Sequence, residues 1–169
     1  GEGKLHRAFS VLLFNSSGKL LIQKRAREKI TFPSIWANSC CSHPLHTETE
    51  INGVDGAKRA AKRKMEQELG INPKEIDLDK LNYITKMRYK ARADKKWIEY
   101  EIDYIFAIKC DVEINPNQIE IEDTKYVNPD ELENIFQDGE SKIGPWFRII
   151  KENFLNDIWK SLDCLEEVG

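Results

Sequence analysis

The chain has 169 residues, 33% of them charged and 40% hydrophobic, with a formal net charge of -3. That length suits one domain with its own core, the composition excludes a disordered or fibrous chain, and the charge excludes a bulk basic field for nucleic acid. No apolar run approaches the roughly 20 residues of a membrane span. The four cysteines, Cys40, Cys41, Cys110 and Cys164, lack the spacing of a secreted disulfide framework. The start, GEGKLHRAFS, carries neither an initiating Met nor a signal-peptide pattern. These features predict a reduced, intracellular protein, cytoplasmic in the first instance with peroxisome or plastid as alternatives, monomeric, with no nucleic-acid partner and no membrane span.

In chain order, RAFSVLLF (7–14) reads as an apolar strand, NSSGK (15–19) as a turn with Gly18 free to take positive φ, and LLIQK (20–24) as the returning strand, which predicts a β-hairpin over 7–24. REKITFP (27–33) reads as a loop ending at Pro33, and IWANS (35–39) as a short strand. Helical spacing of Val54, Ala57, Ala60, Ala61, Met65 and Leu69 predicts a helix over 54–70, stopped by Gly70 and Pro73. NYITKMRYKA (82–91) alternates, with Tyr83, Thr85, Met87 and Tyr89 on one face and Ile84, Lys86, Arg88 and Lys90 on the other. After a turn at 94–96, WIEYEIDYIFAIK (97–109) alternates again. TKYV (124–127) reads as a short strand, and Asn128-Pro129 opens a helix with a good cap. Pro145 opens the last helix, with Trp146, Ile149, Ile150, Phe154, Ile158 and Leu162 as its apolar stripe. The predicted class is α/β (α+β), a mixed sheet packed between helices in one domain over 1–169.

Four groups carry chemistry. Glu99, Glu101 and Asp103 share one strand face, about 7 Å apart from the strand rise. They read either as a solvated acidic stripe or, because carboxylates are depleted in strands, as oxygen ligands for a divalent cation. The histidines are three, His6, His43 and His46, and imidazole beside carboxylate suits Zn, Mn or Fe, or Mg with water completing the shell. In SCCSHPLH (39–46), Cys40, Cys41, His43 and His46 offer a rival zinc cage, which lacks the usual gap between cysteine ligands. A buried thiol acts as a small hydrophobe, whereas beside a cation or a metal-bound His its pKa falls and it becomes a base or nucleophile. Finally, RKMEQELGI (63–71) ends the helix. It resembles the tail of a Nudix box, with Lys64 and Gln67 where cation-binding glutamates are usual, and reads otherwise as a generic amphipathic helix.

Together, LHRAFSVLLFN (5–15), KITFPSIWANSCCSHPL (29–45), AAKRKMEQELGI (60–71), YKARADKKWIEYEIDY (89–104) and GPWFRIIKENFL (144–155) resemble the type I isopentenyl diphosphate isomerases, which are Nudix-like in fold. The resemblance implies Cys41 as the catalytic cysteine and Glu101 as the carboxylate working opposite it. It implies His6, His43, Glu99 and Glu101 at a divalent metal site holding Mg²⁺, Mn²⁺ or Zn²⁺, and Glu68 as a ligand of the Mg²⁺ that bridges to the substrate diphosphate. Arg25, Lys29 and Ser42 match the diphosphate grip, and Tyr89 and Trp146 match the aromatic lining of the prenyl pocket. The implied reaction moves a double bond. One carbon gains a proton, another loses one, and a tertiary carbocation lies between, so two titratable groups are needed and an aromatic face stabilises the cation. The family also has a further metal His several residues upstream of the position matched by His6, and the resemblance implies that this sequence starts after it, without a first-strand segment that accompanies it. Ile98 and Tyr100 depart from the usual Gly and His around the acidic pair, and the stretch after Leu155 departs from the family's tryptophan-rich ending. Two other readings stand beside this one. One is a Nudix hydrolase of a diphosphate, which Lys64 and Gln67 oppose. The other is a diphosphate-binding module of the same fold without turnover.

Overall fold

The computed structural model describes the backbone of residues 5–29, 32–92 and 98–167, and of these all side chains except those of residues 5, 6, 89–92, 98–100 and 165–167. The turn expected at 94–96, and Trp97, lie outside the described residues. Seven strands form one sheet: β1 (Leu5–Phe14), β2 (Leu20–Arg25), β3 (Trp36–Ala37), β4 (Cys40–Ser42), β5 (Asn82–Arg92), β6 (Ile98–Lys109) and β7 (Ile121–Val127). Its order is β3-β2-β1-β6-β5, with β4 also on β1 and β7 on β2. β1 runs parallel to β6 and antiparallel to β4, so the sheet is mixed.

Two apolar layers cover the sheet. The helix α1 (Gly53–Leu69) buries Ala57, Ala60, Ala61, Met65 and Leu69 against Phe9, Val11 and Phe106. Small residues on the helix face let it lie close to the sheet, and removing their apolar area from water drives the packing. On the other face, α2 (Pro129–Gln137), α3 (Pro145–Ile150) and α4 (Asn156–Lys160) contribute Leu132, Trp146, Phe147, Ile150 and Ile158 to a second cluster with Leu12, Phe14 and Ile22. Sequence and structure agree on the stop of α1 and the start of α2. Gly70 closes α1 at φ 65, and a Cβ there would meet the carbonyl oxygen of Asn115, so glycine is required twice over. Asn128 and Glu131 form a reciprocal capping box at α2.

Four local expectations change. The hairpin over 7–24 turns at Gly18, φ 78, but β1 and β2 pair only at Phe14 and Leu20. Beyond that point they splay, and the segment from Trp36 to Ser42 fills the gap as β3 on β2 and β4 on β1. Polar side chains stitch the gap. Ser39 Oγ donates to the Leu21 carbonyl (2.6 Å) and accepts the Leu13 amide (2.8 Å), while Asn38 Nδ2 donates to the carbonyls of Val11 and Cys40, both at 3.0 Å. Secondly, the alternation over 82–91 breaks at a register shift between Tyr83 and Thr85. That bulge puts Ile84 and Met87 into one core and Tyr83 into the other, where strict alternation paired Tyr83 with Met87. Thirdly, β7 begins at Ile121, ahead of the expected 124, extended by pairing along β2. Lastly, the C-terminal helix passes through a π-helical turn, Lys151–Leu155. The wider turn brings Leu155 inward beside Phe147, two buried residues that the 3.6-residue stripe passed over.

Candidate active site

β1 forms the floor of the site, and the strands on its two sides bring the reactive groups. On one side β4 sets Cys41 opposite Ser10; on the other, β6 sets Glu101 opposite His6 and Asp103 opposite Ala8. Residues 41 and 101 thus flank a single strand, four residues apart along it. A cavity of about 440 Å³ opens there, lined by Ser10, Cys41, His43, Glu101, Asp103 and Trp146, among others. Its size suits a small organic ligand.

The acidic face of β6 is buried at both of its described carboxylates. Glu101 is 4% exposed and Asp103 1%, which overturns the reading of a water-facing stripe. His43 Nε2 stands 2.5 Å from Glu101 Oε1. This pair supplies an imidazole nitrogen and a carboxylate oxygen to one point, a donor set that fits a divalent cation. The backbone brings His6, which falls inside β1 and not ahead of it, level with Glu101, and Glu99 level with Ala91. The side chains of His6, Glu99 and Tyr89 lie outside the described residues; Tyr89 is paired with Glu101 in the β5–β6 register. Among the described residues no three His, Cys, Asp or Glu side chains converge on one metal position. Asp103 Oδ2 accepts a hydrogen bond from Ser10 Oγ (2.7 Å), while its Oδ1 has no partner. Burial pushes the Asp103 carboxyl up to about 8, partly opposed by the Ser10 bond.

The adjacent cysteines part company. Strand alternation sends Cys40 into the core under α1 and Cys41 toward the opposite cluster and the cavity. Their sulfurs therefore cannot share a zinc cage, and both are free thiols. The nearby cation Arg25 does lower the Cys41 pKa, but it is not the dominant influence. Burial pushes it up to about 12, outweighing the lowering by Arg25, and Glu68, Asp103 and Glu101 add to the rise. Without a bound ligand Cys41 is a thiol, not a thiolate.

The same cavity also carries charged groups of both signs. Arg25, Lys29 and Ser42 all line it, as expected from the sequence, and so do Lys64 and Glu68. Glu68 is buried, which raises its carboxyl above the usual range, and its Oε2 lies 3.3 Å from Lys64 Nζ. Lys29 Nζ lies 2.5 Å from Glu120 Oε2. Trp146 forms an aromatic wall. Its Nε1 donates to Asn38 Oδ1 (3.0 Å), and its ring meets Phe32 edge to face at 5.4 Å. The loop after Cys41 is clamped by Glu50, which takes two bonds from Arg63 (2.7 and 2.9 Å) and one from the Leu45 amide (2.8 Å).

Sequence reasoning missed Lys64 and Phe32 as cavity residues, and Glu120, Asn38 and Glu50 as partners of residues around it. The Lys64 position had a usable signal, being one turn before Glu68 on the same helix face. Glu120 and Glu50 sit in polar loops where nothing local marks them.

A NUDIX domain model matches residues 4–147. Over 167 aligned residues the chain is 47% identical to an isopentenyl-diphosphate delta-isomerase of Gibberella zeae, covering 96% of this chain and 66% of that protein. It is 47% identical to isopentenyl-diphosphate delta-isomerase 1 of Mus musculus, covering 97% and 74%. It is also 46% identical to a chloroplastic isopentenyl-diphosphate delta-isomerase 1 of Cannabis sativa, covering 99% and 62%. The chain thus spans between 62% and 74% of the length of these relatives. Among solved structures it is similar to a NUDIX hydrolase of Alicyclobacillus acidocaldarius, with TM-score 0.67 at 10% identity over 90% of this chain and 91% of that one. It is similar as well to a MutT NUDIX hydrolase of Burkholderia pseudomallei, with TM-score 0.64 at 14% identity over 90% and 100%. At such identities these likenesses establish the fold.

Proposed function

This chain belongs to the isopentenyl-diphosphate delta-isomerases on the Nudix fold, and from that premise we propose that it interconverts isopentenyl diphosphate and dimethylallyl diphosphate. One observation carries the reading. A thiol, Cys41, and a carboxylate, Glu101, reach one cavity from the two strands on either side of β1. Moving a double bond needs a proton delivered at one carbon and another withdrawn nearby, and two titratable groups on separate walls can do both. Each exchanges its role when the reaction reverses.

The remaining residues fit that task. Arg25, Lys29 and Ser42 grip the diphosphate, with Lys64 as a further cation in the same cavity. The indole of Trp146 lines the cavity and, with Tyr89 in the role the resemblance gives it, would supply the aromatic face that stabilises a tertiary carbocation. Phe32 helps to keep water from quenching that cation. His43 and Glu101, with His6 and Glu99, would hold a divalent metal (Mg²⁺, Mn²⁺ or Zn²⁺), and Glu68 a Mg²⁺ at the diphosphate. Bound there, the metals supply charge neutralisation and hold the carboxylate in orientation. Hydrolysis is disfavoured by Lys64, whose ammonium sits 3.3 Å from Glu68 where a hydrolytic cation cluster needs carboxylates. No helix among the described residues is long and apolar enough to cross a membrane. The unbridged thiols of Cys40, Cys41 and Cys110 support the reading of a reducing, cytoplasmic setting.

The test is proton NMR of the protein with isopentenyl diphosphate and Mg²⁺ in D₂O, beside Cys41→Ala. Deuterium-labelled dimethylallyl diphosphate from the unmutated chain alone is the expected result. Unchanged substrate would overturn the isomerase reading in favour of a binding module, and released phosphate would turn it toward hydrolysis.

A further inference from the structure

The cation expected to grip the diphosphate is already engaged. Lys29 Nζ and Glu120 Oε2 are 2.5 Å apart, with each side chain only 29% exposed. Lys29 holds the Glu120 carboxyl below the usual range, with Lys64 and Arg25 assisting. This contact is built into the fold from two directions. The Ala26 amide donates to the Glu120 carbonyl (3.1 Å), and the Lys29 amide donates to the Ala26 carbonyl (3.2 Å). The other end of the Glu120 loop is tied to α1, where the Asn117 amide donates to the Glu68 carbonyl (2.8 Å). The backbones that carry Glu120 and Lys29 are therefore held side by side, so the two side chains stay within reach of each other.

We propose that Glu120 is an internal counter-anion that sets the affinity of the site for its diphosphate by occupying Lys29 until the ligand displaces it. This rests on the reading of Lys29 as a diphosphate contact. A charge-assisted bond in a part-buried setting is stronger than an exposed ion pair. An incoming anion must match it before it gains anything from Lys29. A single negative charge exchanged for the carboxylate gains little. A diphosphate brings several charges and reaches Arg25 and Lys64 in the same cavity, so it can displace Glu120. The same pair returns when the ligand leaves, which favours release.

The experiment is titration calorimetry with inorganic diphosphate at constant Mg²⁺, on the full chain, for the unmutated protein, Glu120→Gln, Lys29→Met and the double variant. Glutamine keeps the shape of Glu120 and leaves its backbone links, so melting temperatures serve as the folding control. Glu120→Gln is expected to bind diphosphate about tenfold more tightly, and the gain is expected to vanish in the Lys29→Met background. Weaker binding by Glu120→Gln would make Glu120 a support for Lys29 and overturn the proposal. Equal tightening in both backgrounds would reduce Glu120 to a general repulsive charge and overturn it too. Failure of the unmutated protein to bind diphosphate would strike the underlying site reading itself, and is seen before any variant is compared.

Discussion

His43 Nε2 and Glu101 Oε1 lie 2.5 Å apart, joining the loop after β4 to β6. Neither residue's neighbours in sequence require this. The approach follows from β4 and β6 flanking the same strand, β1. If the pair holds a divalent metal, His43→Ala weakens metal binding by at least about tenfold, the loss common when support of a metal site is removed. Glu101→Gln lowers kcat by about a thousandfold, within the range for a lost acid–base group. Calorimetric titration with Mn²⁺ checks the first, and isomerase turnover under saturating metal checks the second. Metal affinity unchanged in His43→Ala would remove His43 from the site.

The two adjacent cysteines provide an internal control. Cys41 opens onto the cavity and Cys40 is buried beneath α1. Cys41→Ala is expected to cut kcat by about 10²- to 10⁴-fold with little change in KM. Cys40→Ala is expected to keep turnover and lose about 1 kcal/mol of stability, the cost of a small buried group. Steady-state kinetics and urea unfolding of both variants decide it. Loss of kcat in Cys40→Ala at full stability would show that the strand assignment is wrong.

Asn38 shows where the sequence stopped being informative. Its Nδ2 donates to the carbonyls of Val11 and Cys40, and its Oδ1 accepts the Trp146 indole. One buried side chain thus closes the gap between β1 and β2 and orients the aromatic wall of the cavity. Asn38→Leu leaves those buried carbonyls and the indole unsatisfied and is expected to destabilise the fold by about 3 kcal/mol, measured by urea unfolding. It also frees the Trp146 ring, seen as a shift in tryptophan fluorescence.

Helix α1, the caps at Gly70 and Asn128, the alternating β6 and the cysteine–histidine motif were all legible, because each is written in residues close together in the chain. Asn38, Ser39 and Glu120 were not. Their partners lie on other strands and loops, as with Asn38 and Trp146, so no local spacing marks them. The register shift at Tyr83/Thr85 was hidden for a related reason. Alternation in sequence assumes an unbroken pleat, and a bulge is stabilised by the partner strand. The burial of Glu101 and Asp103 was not marked because a strand's polar face meets water unless something covers it, and here His43 from the loop after β4 meets Glu101 while Ser10 of β1 meets Asp103.

Glu50 joins that loop to helix α1 and makes stability depend on pH. Its carboxylate takes two bonds from Arg63 and one from the Leu45 amide, and the Arg63 bond, chiefly, holds its pKa below the usual carboxylate value despite burial. A carboxyl depressed in the folded state contributes stability above its unfolded pKa and loses it as pH falls through the folded one. Glu50→Gln is therefore expected to cost about 2 kcal/mol at pH 7, since Arg63 is left part-buried without its partner. The difference from the unmutated protein should shrink as pH falls below the ordinary carboxylate range. Urea unfolding of both proteins between pH 7 and pH 3 measures this directly. A gap that stays constant with pH would mean that Glu50 acts by shape and hydrogen bonding alone, without its charge.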